Sequence, residues 1–69
     1  MKSTVRERLT KYLEFKKISK SEFGRACGVS SAYVTSIIRT ISPKVLKAIT
    51  LNYQDLNVEW LLMGEGNMI

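Results

Sequence analysis

The chain has 69 residues, of which 45% are hydrophobic and 25% charged, so we expect one small globular domain rather than a disordered segment. With no histidine and only one cysteine, Cys27, it has neither an internal disulfide nor the ligands of a structural zinc site. Its longest apolar run, Trp60 to Met63, is too short to cross a bilayer, and we expect a cytoplasmic protein without metal or cofactor.

Positive charge is concentrated in the first two thirds of the sequence. All 11 Lys and Arg residues lie within residues 1–48, together with three of the six acidic residues, and residues 49–69 hold the other three acids and no cation. The formal net charge is +5. A cationic body with a mildly acidic end favours a polyanionic partner, such as nucleic acid, bound at one face.

A first helix is expected to begin at Ser3 or Thr4 and to end at Lys16 or Lys17. Glu7 follows Thr4 by three residues, which is the spacing of a capping box. An amphipathic stripe at helical spacing is expected to face the core, with the members Val5, Leu9, Tyr12, Leu13 and either Phe15 or Lys16. Three cations of this helix are expected to stay in water: Arg6, Arg8 and Lys11.

The sequence next predicts a second helix over residues 20–27, capped by Ser19 and ended by a glycine. Glu22 again completes the spacing of a capping box. Gly28 can adopt a positive φ without a Cβ penalty, so it can end this helix and turn the chain. Five apolar positions on both sides of the turn should point into one wedge: Phe23, Cys27, Val29, Val34 and Ile37.

A third helix is predicted over residues 31–39, with Ser30 as its cap. The order of helix, glycine turn and capped helix over residues 19–39 is that of a helix-turn-helix. The outward positions of the third helix carry short side chains: Ser31, Ala32, Thr35 and Ser36. Short side chains allow the backbone to approach a partner closely, and the major groove of DNA is one such partner.

Two more short helices are expected before the end of the domain. Ser42 and Pro43 predict the start of a fourth helix that ends near Leu51. Asn57 predicts the cap of a fifth helix over residues 58–63, which Gly64 should end. We therefore expect an all-α domain, a compact bundle of five short helices, over residues 1–63, followed by a mobile tail over residues 64–69.

Three consecutive large side chains of the fifth helix cannot all face one small core. They are Trp60, Leu61 and Leu62. At least one of them should lie at the surface, and we interpret the three as a face for self-association or for a protein partner.

Two stretches together resemble a known family. Residues 19–38, SKSEFGRACGVSSAYVTSII, resemble the helix-turn-helix of phage-repressor and Cro-type DNA-binding proteins, and residues 55–66, DLNVEWLLMGEG, resemble a recurring ending of phage-repressor-like domains. The resemblance implies a lambda-repressor-like fold. Two positions depart from the family pattern: Gly24 replaces a common alanine, which should loosen the second helix by about 1 kcal/mol, and Lys20 replaces a common glutamine.

The leading functional hypothesis is sequence-specific binding of double-stranded DNA by a transcriptional regulator, most simply a repressor that acts as a homodimer. Base-facing residues would be Ser31, Ala32, Thr35 and Ser36. Contacts to the DNA backbone would come from Lys20, Ser30, Tyr33, Arg39, Thr40 and Lys44. An enzyme is not expected, because the sequence offers no histidine, no paired acids in a plausible cleft and no glycine-rich phosphate loop.

Two other readings of the sequence remain open at this point. The chain could be a protein-interaction module, similar to an antitoxin or an adaptor, which uses the surface of Trp60, Leu61 and Leu62. It could also be the N-terminal piece of a longer, self-cleaving repressor, since the family ending commonly precedes a further domain.

Overall fold

A computed structural model describes residues 3–37 and 40–69. The described residues form five helices and no strand, as the sequence predicts: α1 (Val5–Lys16), α2 (Lys20–Cys27), α3 (Tyr33–Ser36), α4 (Pro43–Asn52) and α5 (Val58–Met63). Helix α1 packs against both α5 and α3, and α4 packs against α2. Ile38 and Arg39, which the sequence assigns to the end of the third helix, lie outside the described residues.

The core is formed by apolar side chains from all five helices and from the segments between them. Its fully buried members are Leu9, Tyr12, Phe23, Val34, Ile49 and Leu61. Four members of the predicted wedge are buried, and the fifth, Val29, packs against the core while half-exposed. Cys27 is one of the buried four, and burial raises the pKa of its thiol. None of the helices in the described ranges combines the length and the apolar character needed to cross a membrane.

Side-chain caps define the starts of three helices as predicted. The Thr4 hydroxyl accepts a hydrogen bond from the backbone N–H of Glu7, and Ser19 does the same for Glu22. The Asn57 side chain accepts from the N–H groups of two residues at the start of α5. Because a cap needs only residues within one helical turn, the sequence alone predicts these boundaries well.

The third helix is shorter than the sequence predicts. It covers Tyr33–Ser36, its N-cap residue is Ala32, and no side chain caps it, so the predicted cap by Ser30 is wrong. At Ile37 the backbone already has extended geometry, with ψ at 123°. Valine, threonine and isoleucine lose side-chain freedom in a helix, which lowers the helix propensity of this stretch.

Arg8 is buried, with 6% of its surface exposed, so the prediction that it stays in water is wrong. Its Nε donates to the carbonyl oxygen of Leu61 over 2.9 Å, and its Nη2 donates to the carbonyl oxygen of Leu62 over 3.3 Å. Its Nη1 donates to the backbone oxygen of Ser3. The last carbonyls of α5 lack partners within the helix, and a cation there also interacts favourably with the helix dipole. Arg8 therefore fastens α5 to α1.

A second polar cluster joins the other end of α1 to the segment before α5. The Tyr12 hydroxyl donates to Asp55 over 2.6 Å, and the Lys16 ammonium binds the second Asp55 oxygen over 2.7 Å. The hydrogen bonds from Lys16 and Tyr12 lower the pKa of Asp55. Burial and the bond to Asp55 raise the pKa of Tyr12. Because Asp55 meets the C-terminal half of α1 while Arg8 meets the end of α5, the two helices run antiparallel.

Three further expectations differ from the structure. Phe15, expected in the core, is 61% exposed. Leu61, expected at a partner surface, is completely buried. The tail over residues 64–69, expected to be mobile, folds back on the domain. The Met68 carbonyl oxygen accepts from the Asn57 N–H over 2.8 Å, and the Met68 side chain packs against the core.

Candidate nucleic-acid interface

The turn between α2 and α3 rests directly on α2. Gly28 has φ at 72° and ends the helix, and the N–H of Val29 donates to the carbonyl oxygen of Gly24 over 2.8 Å. A β-carbon on Gly24 would lie 2.5 Å from the Val29 oxygen and 3.2 Å from the Ser30 carbonyl. The glycine is therefore required by the close approach of the turn. Helix propensity indicates only what Gly24 costs the helix and not this reason for its presence.

The structure exposes all four residues predicted to face bases: Ser31, Ala32, Thr35 and Ser36. The opposite side of this segment is anchored in the core through Val34, which is fully buried, and Ile37. Because α3 has only four residues, Ser31 and Ala32 belong to the turn before it rather than to the helix itself. The exposed surface of residues 31–36, which we call the 31–36 face, consists of short side chains on a firmly anchored segment.

Two hydroxyls of the 31–36 face share the same geometry. Thr35 Oγ1 donates to the Ala32 carbonyl oxygen over 2.9 Å, and Ser36 Oγ donates to the Tyr33 carbonyl oxygen over 2.6 Å. Each hydroxyl proton thus points back to the backbone, and the lone pairs remain for an outside donor. In the major groove the donors are the amino groups of adenine and cytosine.

Tyr33 links α3 to the start of α4. Its phenol oxygen accepts from the backbone N–H of Ser42 over 3.3 Å, which leaves its own proton to be donated elsewhere. This bond places the first turn of α4, with exposed Lys44, next to α3. Tyr33 itself is half-buried against the core.

The remaining predicted backbone contacts belong to α2 and to the segments before α3 and α4. The exposed residues among them are Lys20 in the first turn of α2, Ser30 in the turn, and Thr40 before α4. Arg39 lies outside the described residues, so the structure gives no position for it.

One cation beside the 31–36 face is not among the DNA contacts predicted from the sequence. Arg6, on α1, donates from Nη1 to the carbonyl oxygen of Thr35 over 3.2 Å, and its side chain is exposed. The two residues are 29 positions apart in sequence, and only the packing of α1 on α3 brings them together. No local pattern in the sequence could have indicated this contact.

The charges around the face are positive. No carboxylate occurs in the sequence between Glu22 and Asp55, whereas four cations do: Arg25, Arg39, Lys44 and Lys47. Two cations of α1 are already occupied elsewhere, since Arg8 caps α5 and Lys16 pairs with Asp55. The cations on α2 and α4 are Lys20, Arg25, Lys44 and Lys47, and Glu22 is the one acidic residue on these two helices.

The predicted protein-partner surface on α5 is smaller than expected. Leu61 belongs to the core, while Trp60 and Leu62 are half-buried. The large apolar side chains that are most exposed on the described surface are different residues, of which only Met63 belongs to α5: Phe15, Leu51, Met63 and Ile69. Within residues 3–37 and 40–69, no group of three His, Cys, Asp or Glu side chains is placed to hold a metal ion.

Comparison of the chain with protein-family models, with curated proteins and with solved structures gives no match. The resemblance to phage-repressor and Cro-type domains therefore rests on the sequence motifs alone. What the chain does must be inferred from its own surface, of which the 31–36 face and its neighbouring cations are the most distinctive part.

Proposed function

We propose that this chain binds double-stranded DNA in a sequence-dependent manner and regulates transcription, with the 31–36 face in the major groove. The observation that carries the proposal is the combination of four exposed short side chains with neighbouring cations in a stretch that holds no carboxylate from residue 23 to residue 54. A surface that serves only to keep a protein in solution more often carries long side chains of both charges.

The shape of the 31–36 face suits a groove. Its side chains extend little beyond the backbone, so the segment can approach base edges closely. Ala32 offers a methyl group that can contact a thymine methyl, and the hydroxyls of Thr35 and Ser36 offer acceptors to base amino groups. Ser31 adds a third exposed hydroxyl.

The cations at the edge of the face suit the phosphates on either side of a groove. Lys20 lies at the start of α2, and Lys44 lies at the start of α4, which the Tyr33–Ser42 hydrogen bond holds beside α3. Contacts of this kind fix the register of a protein on DNA and supply most of its salt-dependent affinity.

Few long polar side chains are available to read bases, so one copy should discriminate weakly among sequences. Two copies on half-sites about 34 Å apart would multiply the discrimination, and DNA shape would add to it. We therefore include a homodimer on DNA in the proposal. The alternative is a protein-interaction module that uses Trp60 and Leu62, and the test must distinguish the two.

The test is selection of the purified protein from a pool of randomised duplexes at about physiological salt, where non-specific binding is weak. An enriched inverted repeat supports the proposal and gives the half-site spacing. Lys44→Ala should then weaken binding and lower its salt dependence, whereas Lys11→Ala, which removes the same charge from α1, should change both little. If no sequence is enriched and affinity simply falls with salt, sequence-dependent binding is wrong and the protein-interaction module becomes the better hypothesis.

A further inference from the structure

Arg6 differs from the other cations of α1 in what it touches. Arg8 is buried and its donors are used on Ser3, Leu61 and Leu62. Lys16 is paired with Asp55. Arg6 is exposed, and its Nη1 reaches the Thr35 carbonyl oxygen at the end of α3 over 3.2 Å. Its guanidinium is therefore fixed beside the 31–36 face although it belongs to another helix.

We propose that Arg6 binds a phosphate of the DNA backbone and is a part of the same DNA interface. This inference rests on the function proposed above, because it requires a duplex seated on the 31–36 face. It adds a contact from α1, a helix that the sequence assigns wholly to the core and to the solvent.

The chemistry of the guanidinium supports the contact. Arginine has five N–H donors in a rigid planar fork, and one donor is sufficient for the bond to the Thr35 carbonyl. The other donors match the geometry of a phosphate, which arginine commonly binds through two parallel hydrogen bonds. The bond to Thr35 also restricts the long side chain before DNA binds, so less conformational freedom is lost on binding.

The position of the guanidinium also supports it. Thr35 supplies both the carbonyl that holds Arg6 and a hydroxyl that is predicted to face bases. A guanidinium bonded to the backbone of that residue would lie near the edge of a groove that the Thr35 side chain enters. Phosphate strands border the groove on both sides, so the edge is where a phosphate is expected.

The same helix provides a matched control. Lys11 is an exposed cation on α1 and carries the same charge as Arg6. It lies four residues after Glu7 and three residues before Glu14, so two of its neighbouring positions on the helix surface carry carboxylates. Removal of Lys11 changes the net charge without removing a group from the 31–36 face.

The experiment compares the wild type with Arg6→Gln, Arg6→Lys and Lys11→Ala in binding to the selected duplex between about 50 and 200 mM salt. Glutamine carries no charge and is shorter than arginine, whereas lysine keeps the charge but loses the planar fork, so the salt slopes of the two variants separate a phosphate contact from a cap on α3. Thermal unfolding of each variant, followed by Trp60 fluorescence, shows that the fold is kept.

For Arg6→Gln we expect about tenfold weaker binding and a salt slope smaller by about 0.9, the value for one phosphate contact. Arg6→Lys should keep the slope, and Lys11→Ala should stay within about twofold of the wild type. If Arg6→Gln has the same affinity and slope as Lys11→Ala while the wild type binds the duplex, the role of Arg6 is wrong and the proposed function survives. If the wild type binds no duplex, both are overturned.

Discussion

The α-carbon of Gly24 lies beneath the carbonyl oxygen of Val29, so closely that a β-carbon at residue 24 would be 2.5 Å from that oxygen. Real β-carbons do not approach an oxygen so closely, and the oxygen belongs to the backbone of a short turn rather than to a flexible side chain. The contact therefore sets how near the turn before α3 can lie to α2, and with it the position of the 31–36 face.

Gly24→Ala should destabilise the fold by about 1–3 kcal/mol, because the turn has to move away from α2. Helix propensity alone predicts the opposite sign, since alanine is favoured over glycine by about 1 kcal/mol inside a helix. Ala26→Gly, at an exposed position of the same helix, is the matched control and should show the usual loss of about 1 kcal/mol. Urea unfolding measures both, and a stabilised Gly24→Ala variant would contradict the role given to this glycine.

Arg8→Met should cost about 2–3 kcal/mol, although methionine fills much of the same space. The loss arises because the carbonyl oxygens of Leu61 and Leu62 lose their charged donor. Lys11→Met on the exposed side of α1 should stay within about 0.5 kcal/mol of the wild type. Equal stabilities of the two variants in urea unfolding would show that Arg8 does not hold α5.

The stability that Asp55 contributes to the fold should be lost in acid. The bonds from Lys16 and Tyr12 lower its pKa in the folded state, so its contribution is complete above the unfolded pKa near 3.9 and is lost as the pH falls through the lower folded value. Asp55→Asn should reduce the loss of stability as the pH falls below about 4. Urea unfolding at a series of pH values tests this. If the free energy of unfolding of Asp55→Asn falls in acid as steeply as that of the wild type, Asp55 is not the cause of the loss.

Tyr12 should act at the other end of the pH range. Burial and the bond to Asp55 raise the pKa of its phenol, so the folded state favours the protonated form. The stability that it contributes is present below the unfolded pKa of about 10 and is lost as the pH rises above it. Tyr12→Phe should make the unfolding free energy less dependent on pH between about pH 9.5 and pH 11, and the wild-type slope in this variant would argue against the assignment.

Thr35→Val tests the 31–36 face without a change of charge. Valine keeps the shape of threonine but lacks the oxygen offered to a base, so we expect about fivefold weaker binding to the selected duplex with an unchanged salt slope. Thr50→Val is the matched control, because Thr50 is exposed and makes the same backward bond to the Lys47 carbonyl oxygen on α4. Equal affinities of the two variants would remove Thr35 from the base-reading surface.

Helix boundaries that depend on neighbouring residues could be predicted from the sequence. Ser19, Gly28 and Asn57 act within one turn of their own positions, and the structure has α2 and α5 with the predicted bounds. The exposed side of residues 31–36 also follows from the spacing of the apolar residues around it. These features need no knowledge of how the helices are arranged in space.

Features that depend on distant parts of the chain could not be predicted in this way. Arg8 lies on the core side of α1 by spacing, but its charge suggests solvent until the carbonyls of residues 61 and 62 are known to be there. Local spacing likewise does not decide which of three adjacent large residues on α5 is buried. Arg6 became a candidate only because α1 packs on α3.

The bonds from Arg8 to the end of α5 join positions 53 and 54 residues apart. During synthesis α1 emerges first, and the carbonyls that its buried guanidinium needs are made almost a whole domain later. A nascent chain that lacks α5 would have to leave Arg8 in water or bury it without the Leu61 and Leu62 carbonyls, and in both cases α1 cannot reach its native packing. The domain should consequently close in a single late step, and interrupted translation should leave fragments that proteases remove quickly.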